Sequence, residues 1–252
     1  MALHHNPRIV TNGLLVLLDV ADARCNSKQT TGTLSSGHRL YNLADQSYLE
    51  YFYNDVGTEA YQSVYLQNGG PVLYHNAYDG TDHDTTWRGI TTSARHNDYT
   101  VISWFRFDNT SQQSENIYGG GFTGQTSFYM SPGGSSESDG VLLYSDAGGT
   151  NAFSTNPGGG NDDQWHMRAY TMTGPDVGVQ TCKYYRDGVQ ISAANSNSSH
   201  DNPDGNNYMR WGSWTDTYGN LRGYLNGFMY YNRVLSASEI LANYVATKAR
   251  YQ

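Results

Sequence analysis

Lysine and glutamate are scarce in this chain of 252 residues. Lysine occurs only at Lys28, Lys183 and Lys248, and acidic residues outnumber basic ones, which gives a formal net charge of −8 and a pI near 5.3. Nucleic-acid binding normally requires a basic stripe or patch, so this balance argues against a nucleic-acid partner. No apolar stretch approaches the ~20 residues that cross a membrane as a helix, so we expect no membrane partner either.

Cysteine is also rare, with Cys25 and Cys182 as the only two. Two thiols are too few for a disulfide framework, although one bridge between them remains an alternative to two reduced residues. The first residues, Met1-Ala-Leu-His-His-Asn-Pro7, lack the basic start and apolar run of a secretory signal. We therefore expect a protein that is not exported by such a signal.

Tyrosine and glycine, by contrast, are abundant, with 22 and 28 copies. Together with many Asn, Ser and Thr residues, they suit β-strands joined by wide polar loops. The same composition is found at binding surfaces where rigid aromatic rings lie among small polar side chains. The length fits one large β domain or two small ones.

Three apolar runs predict the main strands. Ile9–Leu18 is almost continuously apolar, which is typical of a strand covered on both faces, and the fifty residues after it show no regular pattern. Tyr99–Asp108 alternates between two largely apolar faces and predicts a central strand. Leu221–Asn232 predicts the closing strand, in which Gly223 and Gly227 would allow a close approach.

One helix is predicted at Ala237–Arg250. Ser236 has the position of an N-cap, and Glu239 at the third helical position can reach back to the amide of Ser236. Leu235 and Ile240 have the spacing of a hydrophobic staple. An apolar stripe expected to pack against the strands is formed by Ile240, Leu241, Tyr244 and Val245.

The pair Asp187-Gly188 predicts a type I′ turn after the strand Val179–Arg186, with Arg186 opposite Val189. The face of this hairpin expected to be buried consists of Cys182, Tyr184, Val189 and Ile191. The face expected to lie in water consists of Lys183, Tyr185, Gln190 and Ser192. Cys182 is therefore expected to be an inert core thiol.

Several stretches resemble one fold family. Gly227-Phe-Met-Tyr-Tyr-Asn-Arg-Val-Leu-Ser-Ala-Ser-Glu-Ile-Leu-Ala-Asn-Tyr244 is similar to the last strand and helix of concanavalin A-like (laminin G-like) jelly-roll domains. Gln164-Trp-His-Met-Arg-Ala-Tyr-Thr-Met-Thr173, followed by Tyr184-Tyr-Arg-Asp-Gly-Val-Gln-Ile191, resembles the Trp-His strand and Asp-Gly turn of that family. Gly13-Leu-Leu-Val-Leu-Leu-Asp-Val-Ala-Asp22 and Tyr78-Asp-Gly-Thr-Asp82 resemble such domains in tailed-phage structural proteins.

The resemblance implies an all-β fold, a two-sheet antiparallel jelly-roll sandwich with one short C-terminal helix. It implies a single domain over residues 1–252, with the strand at Ile9–Leu18 next to the closing strand at Leu221–Asn232. The fold hosts lectins, hydrolases, lyases and purely structural modules, so it does not decide the function.

Relatives that cleave β-glucans carry Glu-x-Asp-x-x-Glu on one strand, which points the carboxylates into one cleft. The near match here is Glu137-Ser-Asp139-Gly-Val-Leu142, in which Leu142 replaces the second glutamate and the Asp-Gly pair is also typical of a turn. We therefore expect no enzymatic activity. His166, in the Trp-His pair of the family, is expected to be structural.

Asp79, Asp82 and Asp84 place three carboxylates within six residues. Hard oxygen ligands at this density suit Ca²⁺, which some relatives bind, although the spacing differs from an EF-hand loop. The alternative is an Asp/Gly turn between strands. Apart from this candidate calcium site, we expect no cofactor.

Two further groups are candidates for binding. Aromatic rings beside a carboxylate could form a shelf for sugars, which stack their C–H faces on rings, at Trp211, Trp214, Asp216 and Tyr218. The alternative is that Trp211 is core and Trp214 anchors a loop. Four aromatic residues that match no strand of the family could form a protein interface, at Tyr48, Tyr51, Phe52 and Tyr53. The alternative is that two of these four lie beneath the early loop.

Three functions are compatible with these observations. The first is a non-enzymatic structural protein of a tailed-phage virion, a capsid decoration or a tail or fibre accessory protein, assembled in the host cytoplasm. Its partners would be other virion proteins and further copies of itself. The second is a carbohydrate-binding lectin, or an adhesin for a host cell-surface glycan. The third is a polysaccharide-degrading enzyme, which the scarcity of glutamate disfavours.

Overall fold

The computed structural model describes the backbone of residues 8–26, 32–33, 38–53, 62–67, 70–76, 85–91, 98–107, 121–122, 126–133, 138–145, 151–154, 162–173, 180–191, 195–197, 208–211 and 222–251. The described side chains are those of residues 8–26, 38–48, 72–73, 98–106, 162–173, 181–191 and 223–251. The strands are β1 (Leu14–Asp19), β2 (Gly32–Thr33), β3 (Arg39–Tyr41), β4 (Tyr48–Tyr53), β5 (Gln62–Gln67), β6 (Gly70–Asn76), β7 (Thr85–Thr91), β8 (Tyr99–Phe107), β9 (Gly121–Phe122), β10 (Thr126–Gly133), β11 (Ser138–Ser145), β12 (Asn151–Ser154), β13 (His166–Thr173), β14 (Gln180–Arg186), β15 (Val189–Gln190), β16 (Asn195–Asn197), β17 (Tyr208–Trp211) and β18 (Arg222–Tyr231). Helix α1 (Ala237–Thr247) and a 3₁₀ turn (Lys248–Arg250) follow.

The closing strand β18 lies in the middle of the largest sheet. This ten-stranded sheet has the order β15-β14-β13-β8-β18-β6-β5-β2, while β1 pairs with the second half of β18 and β16 pairs with β14. A five-stranded sheet has the order β3-β4-β7-β17-β9, and a three-stranded sheet has the order β10-β11-β12. The pairings between these strands are antiparallel. The fold is therefore the expected antiparallel jelly-roll sandwich with one short C-terminal helix, and no helix within the described ranges is long and apolar enough to cross a membrane.

The first strand is the neighbour of the closing strand, as predicted. In the antiparallel register of β1 and β18, Leu17 pairs with Met229 and Leu18 pairs with Phe228. The pairing joins residues more than 200 positions apart in the sequence. It brings the two ends of the described chain together on one sheet.

The predicted start of this strand is wrong. Gly13 has a φ of +78°, and the amide of Leu14 donates to the carbonyl of Thr11 at 3.1 Å, so a turn precedes β1. Glycine adopts this left-handed conformation without a steric penalty. Ile9 and Val10 are apolar because they pack against the buried cluster that lies beside the helix, not because they extend the strand.

Both faces of the central strands are covered, which explains the two apolar faces predicted for β8. One face contributes to a cluster that we call the inner core, with Val16, Leu18, Val101, Phe105, Tyr170, Leu225, Phe228 and Tyr230 among its members. The opposite face contributes to the outer cluster, with Ile102, Trp104, Met167, Ala169, Met229, Tyr231, Leu235 and Ile240 among its members. Successive residues of a strand point to opposite faces, so alternate residues of β8 enter different clusters.

The N-terminus of α1 has the predicted capping box. Ser236 Oγ accepts a hydrogen bond from the amide of Glu239 at 3.3 Å, and Glu239 Oε2 accepts one from the amide of Ser236 at 2.8 Å. Arg233 also donates to this carboxylate, with its Nη2 at 2.6 Å from Oε1. Leu235 and Ile240, the two residues of the predicted staple, are buried in the outer cluster.

The helical stripe is only partly as predicted. Leu241 and Val245 are 45% and 40% exposed, so these two residues do not belong to the buried face. Asn243, by contrast, is fully buried. The helix therefore packs on the sheet through a narrower face that combines apolar and polar side chains.

Asn243 occupies this position because it joins three segments of the chain. Its Oδ1 accepts a hydrogen bond from the amide of Val10 at 2.8 Å, and its Nδ2 donates to the hydroxyl of Tyr231 at 3.0 Å. The same hydroxyl donates to the carbonyl of Val10 at 2.9 Å. A buried amide that makes such bonds avoids the cost of an unpaired polar group and fixes the helix to β18 and to the residues before β1.

The hairpin between β14 and β15 has the predicted register, and the predicted faces are confirmed at the described residues except Val189 and Tyr185. Arg186 pairs with Val189, and Gly188 has a φ of +82° in the turn. Val189 is nevertheless 61% exposed, whereas Tyr185, expected in water, is only 2% exposed and lies in the outer cluster. Tyr185 is buried because the outer cluster, to which Ile240 of α1 contributes, covers this part of the hairpin.

Candidate functional site

Most residues of the predicted calcium and sugar sites lie outside the described residues. Asp79, Asp82 and Asp84 lie there, and so do Trp214, Asp216 and Tyr218. The backbone of Trp211 is described in β17, where Trp211 pairs with Trp87 of β7. Both sites stay predictions.

The aromatic stretch predicted as an interface is a paired strand. Tyr48–Tyr53 forms β4, which pairs with β3 on one side and with β7 on the other, so this segment is not irregular as expected. Tyr48 is 38% exposed, and the guanidinium of Arg39 lies 4.2 Å from the centre of its ring. The interface role of Tyr48, Tyr51, Phe52 and Tyr53 stays a prediction.

The near match to a glycosidase motif falls partly on a strand. Asp139 and Gly140 pair with Pro132 and Ser131 inside β11, so the Asp-Gly pair does not form the predicted turn. Glu137 lies outside the described residues. Glu239 is held in the helix cap.

Cys25 and Cys182 are free and buried in the inner core. Burial raises the pKa of both thiols to about 12, because the thiolate would lose its hydration. Cys182 is thus the inert core thiol that the hairpin pattern predicts.

A charged and aromatic group that the sequence analysis missed lies at one end of the ten-stranded sheet. Arg106 of β8 pairs in register with Tyr224 of β18, and the guanidinium of Arg106 lies 4.2 Å from the centre of the Tyr224 ring. Its Nε is 3.4 Å from Oδ1 of Asp163, whose side chain is 54% exposed. We call Arg106, Asp163 and Tyr224 the rim site.

The Tyr224 ring is supported from behind by the outer cluster. Trp165 lies 6.4 Å from Tyr224, and the ring of Tyr251 lies 5.0 Å from Trp165 and stacks on Trp104 at 4.2 Å. Gly227 lies close to this stack, because a Cβ there would be 3.3 Å from Trp104 Cδ1 and 3.4 Å from the Tyr251 hydroxyl, which is a tight contact. The close approach predicted for this glycine is therefore present.

His166 forms a second polar group beside the rim site. Its Nδ1 is 2.6 Å from Oδ2 of Asp187 in the hairpin turn, and its Nε2 is 3.0 Å from Oδ1 of Asp162 in the loop before β13. Oδ1 of Asp187 also accepts the amide of Met167 at 2.9 Å. We call His166, Asp162 and Asp187 the histidine clamp, and these contacts agree with a structural role for His166.

The clamp favours the protonated imidazole. Burial opposes the charge on His166, but the hydrogen bonds to Asp187 and Asp162 outweigh it and raise the pKa of His166 above its ordinary value of 6.5. Burial likewise opposes ionisation of Asp162, but the hydrogen bond from His166 outweighs it and lowers the pKa of that carboxyl. Both shifts describe a charged pair that stabilises itself.

The chemistry that the described residues offer lies mainly in the rim site. No group of three or more His, Cys, Asp or Glu side chains in the described part of the chain is arranged to hold a metal ion. The rim site combines a partly exposed aromatic ring with a cation and a carboxylate. Such a set can pack against an apolar face and hydrogen-bond to hydroxyl groups at its edge.

Sequence reasoning could not assemble the rim site because its residues lie in three separate segments. Arg106 ends the apolar alternation of the β8 pattern, which marks the point where that face meets solvent. Tyr224 and Asp163 carry no comparable signal, since their neighbourhood depends on the pairing of β8 with β13 and β18.

A family model gives the relationship of the chain to known proteins. The model described as the concanavalin A-like lectin/glucanases superfamily matches residues 79–241, which is more than half of the chain. The chain belongs to this superfamily. Membership confirms the fold expected from the strand and helix motifs, and the match includes all residues of the rim site and of the histidine clamp.

Solved structures of other proteins have a similar fold. Domain 4 of AbnA, a GH43 extracellular arabinanase from Geobacillus stearothermophilus in complex with arabinotriose, has a TM-score of 0.61 at 13% identity, with 93% of this chain and 98% of that domain covered. The receptor-binding domain of botulinum neurotoxin type G has a TM-score of 0.58 at 10% identity, with coverages of 93% and 51%. Trypanosoma rangeli sialidase has a TM-score of 0.55 at 14% identity, with coverages of 96% and 34%.

At these identities the similarity shows the fold alone. This chain spans about half of the toxin chain and about a third of the sialidase chain. A search of curated protein sequences found no match.

Proposed function

We propose that this chain is a non-catalytic carbohydrate-binding domain and that the rim site is its binding surface. The observation that carries the proposal is the partly exposed ring of Tyr224 between the outer cluster and the charged pair of Arg106 and Asp163. A sugar presents a face of C–H groups that can pack on such a ring. Its hydroxyls can accept from the guanidinium and donate to the carboxylate.

The superfamily supports a binding role. Its description includes lectins, the arabinanase domain that covers nearly all of this chain was solved with arabinotriose, and the toxin domain is named for receptor binding. The abundance of tyrosine and small polar residues suits the same role. Arabinotriose is therefore a rational first probe, together with a panel of other glycans.

The absence of catalysis is proposed because the near match to the glucanase motif has Leu142 in place of its second glutamate. Incubation with oligosaccharides should release no new reducing ends. Hydrolysis by the purified chain that is abolished in Glu137→Gln would contradict this part of the proposal.

Calorimetry with arabinotriose, preceded by a glycan array to find tighter ligands, tests the location of the site. Tyr224→Ala should raise the dissociation constant by at least about tenfold, which corresponds to ~1.4 kcal/mol. Truncation of a central aromatic residue costs more than this in many interfaces. Tyr48→Ala is the matched control, since Tyr48 is also partly exposed beneath an arginine but lies in the five-stranded sheet. Loss of binding in Trp211→Ala but not in Tyr224→Ala would place the site on the predicted aromatic shelf instead.

A second candidate is a structural protein of a tailed-phage virion, a capsid decoration or a tail or fibre accessory protein. The specific observation is that Gly13–Asp22 and Tyr78–Asp82 resemble such domains in tailed-phage structural proteins. This candidate is compatible with sugar binding, because a virion protein can act as an adhesin for host glycans. Light scattering should then detect a homo-oligomer, and Tyr51→Ser with Tyr53→Ser should weaken it while leaving the melting temperature nearly unchanged. A monomer at all concentrations would remove the homo-oligomer from this candidate.

A further inference from the structure

The imidazole of His166 lies between two carboxylates from different parts of the chain. Nδ1 faces Asp187 at 2.6 Å and Nε2 faces Asp162 at 3.0 Å. A neutral imidazole has one N–H group, so it can donate to only one carboxylate, and its other nitrogen then presents a lone pair to a negative oxygen. A protonated imidazole donates to both. The observed arrangement is therefore complete only when His166 carries a proton.

The geometry decides which of the two contacts is lost on deprotonation. The contact to Asp187 is the shorter one, and the side chain of Asp187 is 25% exposed compared with 47% for Asp162. Asp187 is also held by the amide of Met167 at 2.9 Å. The neutral ring should therefore keep its N–H on Asp187, and Asp162 should be released into solvent.

Other charges surround the clamp on every element packed against it. The charged neighbours are Asp162 and Asp163 in the loop before β13, Asp187 and Arg186 in the hairpin, Arg168 on β13 and Arg106 on β8. Arg168 opposes protonation of His166, whereas the hydrogen-bonded carboxylates favour it and keep its pKa raised. The net effect is a pKa of His166 raised above its ordinary value of 6.5.

The loop that contains Asp162 also contributes Asp163 to the rim site. Asp163 has a φ of +56°, a left-handed conformation that is uncommon for a residue other than glycine and that persists where the surroundings hold it. Its carboxylate lies 3.4 Å from Arg106 Nε, longer than a well-formed charge-assisted hydrogen bond. Arg106 in turn covers the ring of Tyr224 at 4.2 Å. One short loop thus connects His166 to the cover of the aromatic ring.

We propose that the histidine clamp gates the rim site: protonated His166 holds the loop so that Asp163 keeps Arg106 over Tyr224, and neutral His166 releases it. This inference rests on the proposed sugar-binding function of the rim site. Once Asp162 is free, the loop can relax the left-handed residue Asp163, and Arg106 loses its partner. The face of the Tyr224 ring then becomes available to the apolar face of a sugar.

Hydrogen exchange tests the gate without any ligand. The amide of Gln164 donates to Asp162 Oδ1 at 3.1 Å, so its protection reports the closed loop. In the full chain, protection of residues 162–165, corrected for the intrinsic pH dependence, should fall as His166 loses its proton, which imidazole NMR follows directly. Protection that stays constant through the His166 titration would overturn the gate.

Asp162→Asn separates the gate from general effects of pH. The carboxamide can accept from the protonated ring and donate Nδ2–H to Nε2 of the neutral ring, so the loop should stay protected at both ends of the titration. The matched control is Asp98→Asn, an aspartate that accepts from Thr173 Oγ1 at 3.0 Å at the opposite end of β13. In this control, the protection of residues 162–165 should depend on pH as it does in the unmodified chain.

Binding to arabinotriose supplies the second readout. The dissociation constant should fall by about tenfold between a pH below and a pH above the His166 titration followed by NMR, a factor that corresponds to one pKa unit of coupling. In Asp162→Asn, the affinity for arabinotriose should be low and nearly independent of pH. Failure of the sugar to bind at any pH, with the exchange pattern intact, would refute the proposed function but not the loop switch. Binding of equal affinity at both pH values would overturn the link between the loop and the ring.

Discussion

The buried amide of Asn243 gives the sharpest test of how the helix is attached to the sheet. Asn243→Ala removes the acceptor of the Val10 amide and one hydrogen bond to the Tyr231 hydroxyl. A neutral buried hydrogen bond contributes about 1 kcal/mol, and a buried donor left without a partner costs about 1–3 kcal/mol. The higher helix propensity of alanine offsets roughly 0.6 kcal/mol of this loss.

We therefore expect Asn243→Ala to lower the free energy of unfolding by about 2–3 kcal/mol. For a domain of this size, that loss lowers the melting temperature by about 5–10 °C, which differential scanning calorimetry can measure. Leu241→Ala is the control on the same helix, because its side chain is 45% exposed and should cost less than about 1 kcal/mol.

A double-mutant cycle identifies the cause of the loss. Tyr231→Phe removes the hydroxyl that contacts both Asn243 and the carbonyl of Val10. The double variant should lose less stability than the sum of the single variants, by about 0.5–1.5 kcal/mol, because both changes break the same network. A melting temperature of Asn243→Ala within about 2 °C of the unmodified chain would refute the reasoning.

Three further predictions concern stability. The hydrogen bond from Arg233, followed by the bond from the Ser236 backbone, lowers the pKa of Glu239 from 4.5 to about 2. Glu239 therefore stabilises the fold fully above pH 4.5 and loses this effect as the pH falls towards 2. The free energy of unfolding of Glu239→Gln should be lower than that of the unmodified chain near neutral pH, and the two values should converge in acid. The pH dependence is reversed for His166, because its folded-state pKa is raised. The stabilisation by His166 is complete below pH 6.5 and is lost as the pH rises through the folded-state pKa. The difference in melting temperature between His166→Gln and the unmodified chain should therefore shrink towards alkaline pH. Gly188→Ala should lower the free energy of unfolding in urea by about 1–2 kcal/mol, because Gly188 has a φ of +82° and the new Cβ would lie 2.9 Å from Leu241 Cδ1. An unchanged free energy of unfolding would show that the helix does not pack against this turn.

The parts of the fold that the sequence predicted well are those with local causes. Ser236 and Glu239 are three residues apart, so the capping box can be read from the chain directly. The Asp187-Gly188 turn fixes the register of its hairpin for the same reason. The neighbourhood of β1 and β18, in contrast, was predictable only through resemblance to a family.

The errors arose where distant segments decide burial. Tyr185 was expected in water but is buried, because it packs in the outer cluster to which Ile240 of α1 also contributes, whereas Val189 was expected to be buried but is 61% exposed. Asn243 is polar and would normally be placed in water, but hydrogen bonds to two remote segments keep it buried. Alternation and helical periodicity show which residues share a face, but not whether another element covers that face.

The candidate site was beyond prediction for a related reason. Arg106, Asp163 and Tyr224 are far apart in sequence and meet only because β8 lies between β13 and β18. The predicted shelf around Trp211 rests on closeness in sequence instead. The rim site and the predicted shelf around Trp211 are therefore two alternative locations for the carbohydrate site, on different sheets, and one experiment can distinguish them.

That experiment is an NMR titration of the isotope-labelled chain with arabinotriose and with the tightest ligand from a glycan array, at a pH above the observed His166 titration, where the rim site should be open. Our account predicts saturable binding, with the largest shifts at Tyr224, Arg106 and Asp163 and with loss of those shifts in Tyr224→Ala. No saturable binding to any glycan, or shifts confined to the five-stranded sheet around Trp211, would contradict the claim that the rim site binds carbohydrate.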